Sequence, residues 1–267
     1  MPTWTEMGSA PSRPEFQQSM SCSPLCATDS ATPSSSRSRR SGCRAEWTPR
    51  SISSRCARPW RAGRELHRLA ALQARLHALD PSTWPNQAVT FAQDRLGPVQ
   101  WWARELNQPK ISAALERAEP IALALDTGPA VVCHGDFHPL NVIVNGEAAT
   151  VIDWTDAGLG DPMGDVARSA LLLRVAGVAT SEAAVRSALR VTSPALSRIY
   201  VRAYRQIAPF DPARFRLWTT IHLLHGWAQV SALHAGLVGS ASERAQIPMG
   251  LAPWLERRYH CALDQLP

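Results

Sequence analysis

The most constraining feature of this sequence is a pair of short β-branched segments, 142–144 and 150–152, which lie between an asparagine and an aspartate. An Asn-Gly pair at 145–146 separates them, and both residue types tolerate the positive φ values of a tight hairpin turn. The pattern therefore predicts a β-hairpin with Asn141 at its start and Asp153 at its exit. Such a hairpin brings both side chains to one end of a small sheet.

A polar loop with the sequence CHGDFHPLN precedes this hairpin. Phosphoryl transfer needs a carboxylate that orients and deprotonates an attacking hydroxyl, and oxygen ligands for the magnesium ion that accompanies a nucleotide. Asp136 is the candidate catalytic base, and Asn141 and Asp153 are the candidate Mg²⁺ ligands. We expect His134 to brace the loop by hydrogen bonding and Trp154 to pack beside the metal site.

Four motifs follow one another at suitable intervals: H-G-D-x-x-x-x-N at 134–141, V-I-D-W at 151–154, G-D-P at 160–162 and D-V-A-R at 165–168. In this order they resemble the hallmark of the aminoglycoside phosphotransferase-like family, which includes choline-kinase-like enzymes. A lone H-G-D is a weak signal, but the four motifs together are specific. The resemblance extends from about Arg58 to the C-terminus.

This resemblance implies an α+β, protein-kinase-like fold with a mainly helical C-terminal lobe and a small catalytic hairpin. It implies ATP as phosphoryl donor and Mg²⁺ as cofactor, with Asp136 as base and Asn141 and Asp153 on the metal. Asp161 and Asp165 would then be mainly structural. The expected reaction is transfer of the γ-phosphoryl group to a hydroxyl of a small molecule.

Residues 1–57 differ from the region 58–267 in composition. They are crowded with Ser, Pro, Arg and Cys and lack both strand alternation and sustained helical periodicity. Such a segment buries too little apolar surface to offset its ordering entropy, so we predict disorder or irregular structure. A kinase of this type also needs an N-terminal lobe with a phosphate-binding lysine, and Lys110 is the only lysine in the sequence. The sequence therefore predicts that this lobe is absent or corrupted.

Two explanations of residues 1–57 stay open. A frameshift or a mis-called start could have replaced the true N-terminal lobe, because an out-of-frame GC-rich gene gives such a composition. Alternatively, the chain is a naturally truncated relative that binds a metabolite without catalysis. Both explanations predict weak or absent ATP turnover by this chain.

The positive net charge of the chain indicates which kinds of partner it can bind. The net charge is +6, and residues 170–267 contain eleven arginines against five acidic residues, which leaves +6 in that region. A cationic substrate would meet like charge there, so we favour a neutral or anionic hydroxyl compound. A nucleic-acid partner is not expected, because the basic segment Arg37–Arg44 is supported by charge alone. No apolar run of eighteen residues and no signal peptide are apparent, so we expect no membrane partner and a cytoplasmic location.

Helical periodicity predominates outside the hairpin. Pro81 is expected to end the first helix and Pro120 to break the pattern further on, and Ala130–Cys133 reads as a short strand. Histidines on helices, His77 among them, are expected to be packing or surface residues. The predicted helices are 63–79, 89–96, 99–106, 111–117, 165–176, 181–190, 194–207, 212–237 and 252–266.

Overall fold

The computed structural model describes residues 50–51, 59–85, 89–128, 130–145, 148–179 and 183–266, all within one compact unit, 47–267. The predicted disorder of residues 1–57, its possible frameshift origin and the missing N-terminal lobe therefore concern residues outside the described ones, apart from Arg50 and Ser51. The predicted turn at Gly146 and the predicted helix start at Ser181 also lie outside.

Helices dominate the described residues and confirm the mainly helical lobe. They are α1 (Pro59–His77), α2 (Ala92–Leu106), α3 (Pro109–Leu125), α4 (Pro162–Ala179), α5 (Ala183–Ile207), α6 (Pro212–Ala235), α7 (Ala241–Gln246) and α8 (Leu251–Leu263).

Proline residues did not mark the ends of three of these helices. Helix α3 continues through Pro120. Helix α2 continues through Pro98 and α5 through Pro194, and at each of these positions the sequence predicted two separate helices. All three prolines lie within helices that pack on the core, and burial there can offset the lost backbone hydrogen bond. The short helix α7 escaped prediction, although Ser240 and Glu243 form a capping box at its start.

Within the described residues, six short strands form two small sheets. They are β1 (Arg50–Ser51), β2 (Val89–Thr90), β3 (Val131–Cys133), β4 (Val142–Asn145), β5 (Ala148–Val151) and β6 (Gly158–Gly160). One sheet has the order β1-β4-β5, and the other has the order β2-β6-β3. Strands β4 and β5 pair in antiparallel register from Val142 opposite Val151 to Asn145 opposite Ala148, which confirms the predicted hairpin.

The prediction of a helix at 89–96 was wrong at its start. Val89 and Thr90 pair with β6 in parallel, and α2 begins only at Ala92. The backbone N–H of Ala92 donates to Asp126 Oδ1 at 2.7 Å, which satisfies one of the amides that a helix start leaves without an intrahelical partner. Strand β6 itself carries two glycines among its three residues, so it lacked the β-branched pattern that predicts a strand.

Helix α4 lies at the centre of the lobe and positions the loop. It packs against α5, α6 and strand β3, which leads directly into the polar loop. Val166 and Ala167 of α4 are buried with Tyr200 and Tyr204 of α5. Fully burying large side chains stabilises a fold by about 1.5–3 kcal/mol each, so this contact holds α4 rigidly beneath the loop. No helix in the described part of the chain combines the length and apolar character needed to cross a membrane.

Candidate active site

The polar loop between β3 and β4 is shaped by a glycine and a short 3₁₀ helix. Gly135 has a φ of +78°, and a Cβ atom there would lie 2.3 Å from the backbone oxygen of Asp156. Only glycine fits this position without strain. The loop ends in the 3₁₀ helix Pro139–Asn141, whose N-cap, His138, accepts a hydrogen bond from the Leu140 amide. These two features set the direction of the side chains between them.

Asp165, at the start of α4, anchors the loop from below. Its carboxylate accepts hydrogen bonds from the backbone amides of His134 at 3.2 Å and Gly135 at 2.8 Å. His77 Nε2 at 3.0 Å and Gln73 Nε2 at 2.8 Å, both on α1, complete the set. Burial raises the pKa of this carboxyl, but the hydrogen bonds outweigh burial, with His77 foremost, and lower the pKa to about 2. The structural role implied for Asp165 is consistent with these contacts.

Asp161, four residues before Asp165, also accepts hydrogen bonds from more than one structural element. One carboxylate oxygen accepts the amide of Met163 at 2.8 Å, at the start of α4. The other accepts Trp218 Nε1 at 2.7 Å and Arg214 Nε at 2.9 Å, both from α6. Asp161 therefore joins α4 to α6, which is also consistent with a structural role.

Asp136, the candidate base, is half-buried between two cationic or potentially cationic side chains. Its Oδ2 lies 3.2 Å from His138 Nε2, and its Oδ1 lies 3.4 Å from Arg168 NH2. Burial raises the pKa of this carboxyl, but the hydrogen bond from His138 and the charge of Arg168 outweigh burial, so the pKa lies below its ordinary value. Asp136 is therefore ionised at neutral pH, which a proton acceptor requires.

Asn141, a candidate metal ligand, is buried at the end of the 3₁₀ helix. Its Nδ2 donates to the backbone oxygen of Asp136 at 3.0 Å. Because the NH₂ group is used in this bond, the side-chain carbonyl oxygen is the atom that can bind a cation. The candidate base and this candidate ligand are thus fixed to each other.

Asp153, the second candidate ligand, is exposed just beyond β5 and has a φ of +62°. Non-glycine residues rarely adopt this left-handed conformation, although aspartate tolerates it better than most, and such strain is frequent at functional sites. Its neighbour Ile152 is held on both sides, because its amide donates to Asn141 O at 3.0 Å and its carbonyl contacts His134 Nε2 at 3.0 Å. These bonds hold the Asp153 backbone beside the loop, while its Oδ1 accepts from Thr155 Oγ1 at 2.8 Å.

His134 and Trp154 connect the loop to the hairpin. The backbone amide of Asp136 donates to His134 Nδ1 at 3.3 Å, so the ring proton lies on Nε2 and is donated to Ile152 O. Both ring nitrogens are therefore used in bracing the backbone. The Trp154 ring lies 5.0 Å from the His134 ring and 5.9 Å from that of Trp84, and its Nε1 donates to Val151 O.

Several supporting residues had no clear sequence signal. His77 was expected to be a packing or surface residue, yet it is buried against Asp165, with Nδ1 2.7 Å from the hydroxyl of Tyr204. Arg168 appeared only as the last letter of the D-V-A-R motif, and Arg214 was one of many arginines. Each of these three residues contacts an aspartate that lies 32 to 88 positions away in the sequence. These separations follow no regular spacing, so periodicity could not predict the contacts.

His77, Cys133 and Asp165 form a second group of potential metal ligands, with ligand atoms within 4.8 Å of one another. Metal binding needs a thiolate, but burial raises the pKa of the Cys133 thiol well above its ordinary value. The carboxylate of Asp165 and both nitrogens of His77 are already hydrogen-bonded. We therefore interpret this group as hydrogen-bonded residues that anchor the loop, and not as a metal site.

The helical lobe, the loop and the hairpin together define a protein-kinase-like phosphotransferase fold. The family model described as "Phosphotransferase enzyme family" matches residues 43–218, well over half of the chain, and the chain belongs to this family. The match begins within the segment 1–57, earlier than the position near Arg58 at which the motifs indicated that the resemblance starts. A comparison with curated proteins finds no match.

Solved structures share the fold at low sequence identity. A Ralstonia eutropha JMP134 protein assigned as an aminoglycoside phosphotransferase is 14% identical, with a TM-score of 0.56 over 84% of this chain and 71% of that one. A thermostable mutant of aminoglycoside phosphotransferase APH(4)-Ia, in complex with AMP-PNP and hygromycin B, is 17% identical, with a TM-score of 0.54 over 81% and 70%. A choline/ethanolamine kinase family protein from Mesorhizobium loti is 17% identical, with a TM-score of 0.50 over 81% and 65%.

Proposed function

We propose that this protein transfers the γ-phosphoryl group of ATP to a hydroxyl of a small molecule, with Mg²⁺ as cofactor and Asp136 as base. The observation that carries the proposal is the position of Asp136. Its ionised carboxylate lies in a loop that is fixed by Asp165 from below and by Asn141 from the side. The APH(4)-Ia complex with AMP-PNP gives independent support for a nucleotide as donor.

The donor atoms fit magnesium. Asn141 and Asp153 offer an amide oxygen and a carboxylate, and magnesium prefers such hard oxygen ligands from few protein groups. Asp153 is exposed in a strained backbone conformation, whereas Asp161 and Asp165 are buried and saturated with hydrogen bonds. When bound, Mg²⁺ neutralises the charge of the phosphate oxygens.

The chain's own residues would orient the acceptor and remove its proton. The Asp136 carboxylate accepts the hydrogen bond of the attacking hydroxyl and takes its proton as the oxygen attacks the γ-phosphorus atom. The bond from the γ-phosphorus to the bridging oxygen of the β-phosphate breaks, and ADP leaves. His138 and Arg168 keep this carboxylate ionised and restrict its rotation. The bond from His134 to Ile152 keeps the hairpin beside the loop during the reaction.

A noncatalytic, metabolite-binding protein is the second candidate. The observation that favours it is the ion pair of Lys110, the chain's only lysine, with Glu256 at 2.9 Å. A lysine engaged on α3 with α8 does not serve as the lysine that binds phosphates in the N-terminal lobe of kinases. We therefore expect slow transfer by this chain.

Transfer of ³²P from γ-labelled ATP, measured against Mg²⁺ concentration, tests the proposal. Acceptors would include neutral polyols, hydroxy acids and an aminoglycoside, and we expect the aminoglycoside to be the poorest because of the arginine excess in residues 170–267. Asp153→Asn should raise the Mg²⁺ concentration needed for half-maximal transfer at least tenfold. Asp156→Asn, in the same exposed loop, should leave it unchanged.

Two results would contradict the proposal. An absence of Mg²⁺-dependent transfer to any acceptor would favour the noncatalytic alternative. An equal Mg²⁺ requirement for Asp153→Asn and Asp156→Asn would remove Asp153 from the metal site.

A further inference from the structure

A cavity of about 440 Å³ opens among helices α4, α5, α6 and α8. Neither the candidate base nor the candidate metal ligands line it. Its volume lies in the range of small-molecule binding sites. Six arginines line the cavity: Arg174, Arg198, Arg202, Arg205, Arg216 and Arg258.

The positive charge of this cavity is not balanced within the described part of the chain. No acidic side chain lines it there, and none of the six arginines forms an ion pair with a described carboxylate. Two of them contact aromatic rings instead, Arg205 over Phe210 at 5.1 Å and Arg258 over Trp254 at 5.4 Å. Like charges around one concave surface repel each other and attract an anion.

Arg174 shows most clearly that the arginines of this cavity lack an anionic partner among the described residues. It projects from the central helix α4, its side chain is half-buried, and its Nε is buried without a hydrogen-bond partner. Burial lowers the pKa of this guanidinium, and the charges of Arg258 and Arg198 lower it further. A buried donor without a partner destabilises a protein, and an anion that accepts its hydrogen bond would remove this cost.

The cavity wall also has an apolar part. Leu171, Phe215, Leu223 and Trp254 line it together with the arginines. A simple inorganic ion would leave this surface exposed to water, whereas an organic anion would cover it. Guanidinium groups pair with phosphate through two parallel hydrogen bonds, which favours phosphate as the anionic group.

We infer that this cavity binds a phosphorylated small molecule with an apolar body, at a site separate from the candidate active site. The phosphate would bind Arg174 and its arginine neighbours, and the apolar body would lie against Trp254 and Leu171. This inference goes beyond the proposed function, since it requires no phosphoryl transfer.

Binding of 1-naphthyl phosphate to the full chain, followed by its fluorescence at fixed ionic strength, tests the inference. We expect saturable binding, and at least tenfold weaker binding of the uncharged 1-naphthol. Arg174→Gln and Arg258→Gln should each weaken binding of 1-naphthyl phosphate about tenfold or more, the usual effect of losing a charge-assisted hydrogen bond.

The matched control is Arg257→Gln. Arg257 is the exposed neighbour of Arg258 on α8 and does not line the cavity, so this variant should bind within twofold of the original chain. Arg174→Gln removes a charge that Arg258 and Arg198 repel, so its thermal unfolding midpoint should not fall. The inference is overturned if binding does not saturate, if 1-naphthol binds equally well, or if Arg257→Gln weakens binding as much as Arg258→Gln.

Discussion

Two pairs of aspartates in this lobe have the same chemistry but different surroundings. Asp161 and Asp165 are buried, and each accepts hydrogen bonds from groups on several elements. Asp136 is half-buried and Asp153 is exposed, and each has fewer described hydrogen-bond donors. In the first pair, Asp165 therefore fixes the loop and Asp161 fixes α4 against α6. The second pair retains oxygen atoms that can bind a hydroxyl or a metal ion. The difference shows that burial and the number of donors, not residue type, separate an anchor from a candidate functional group.

The largest expected loss of stability comes from substituting Asp165, which anchors the loop. Asp165→Asn should lower the free energy of unfolding by about 3 kcal/mol, because it removes a buried carboxylate that is hydrogen-bonded to His77 and Gln73 and leaves donors unsatisfied. Urea unfolding measures this change. The exposed control Asp156→Asn should change it by less than about 0.5 kcal/mol. Similar losses of stability for the two variants would contradict the anchoring role of Asp165.

A backbone change at the loop tests the same region without altering charge. Gly135→Ala should destabilise the fold by about 2 kcal/mol, because the residue has a positive φ and its Cβ would meet the Asp156 carbonyl. Gly97→Ala, on helix α2 with open space around the added atom, should instead stabilise by about 0.5–1 kcal/mol. Thermal unfolding of both variants checks the signs, and stabilisation by Gly135→Ala would contradict the loop geometry.

The loss of stability at acid pH tests the contribution of Asp165, which anchors the loop. The pKa of Asp165 is lowered from 3.8 to about 2, so its contribution is present above pH 3.8 and is lost as pH falls toward 2. The loss attributable to this group is about 2 kcal/mol. Asp165→Asn should therefore show a shallower decline between pH 4 and 2 than the original chain. Parallel declines would show that Asp165 does not carry this dependence.

A smaller effect, on the pH dependence of phosphoryl transfer, is expected when the arginine beside the candidate base is replaced. Arg168→Gln removes a partly exposed charge 3.4 Å from Asp136, so the pKa of that carboxyl should rise toward its ordinary value. The acidic limb of the kcat/KM profile for phosphoryl transfer should move to higher pH, while the free energy of unfolding should change by less than about 1 kcal/mol. The exposed Arg104→Gln should leave the profile in place. An unmoved profile for Arg168→Gln would separate this arginine from the base.

The sequence predicted those parts of the lobe that depend on local pattern. The hairpin followed from β-branched residues around a turn, and the long helices followed from apolar periodicity. The contacts of His77, Arg168 and Arg214 could not be predicted, because each joins residues far apart in sequence. Strand β6 was missed because two of its three residues are glycine, and the pairing that stabilises it comes from distant strands.

The most direct test of the account measures Asp136→Asn twice, in the same preparation. We predict that phosphoryl transfer from ATP falls at least a hundredfold, the usual contribution of a general base, while the free energy of unfolding changes by less than about 1 kcal/mol. Transfer that continues at the original rate would contradict Asp136 as the base. A loss of stability as large as that of Asp165→Asn would show that Asp136 is another anchor, and that the two pairs of aspartates do not differ as we propose.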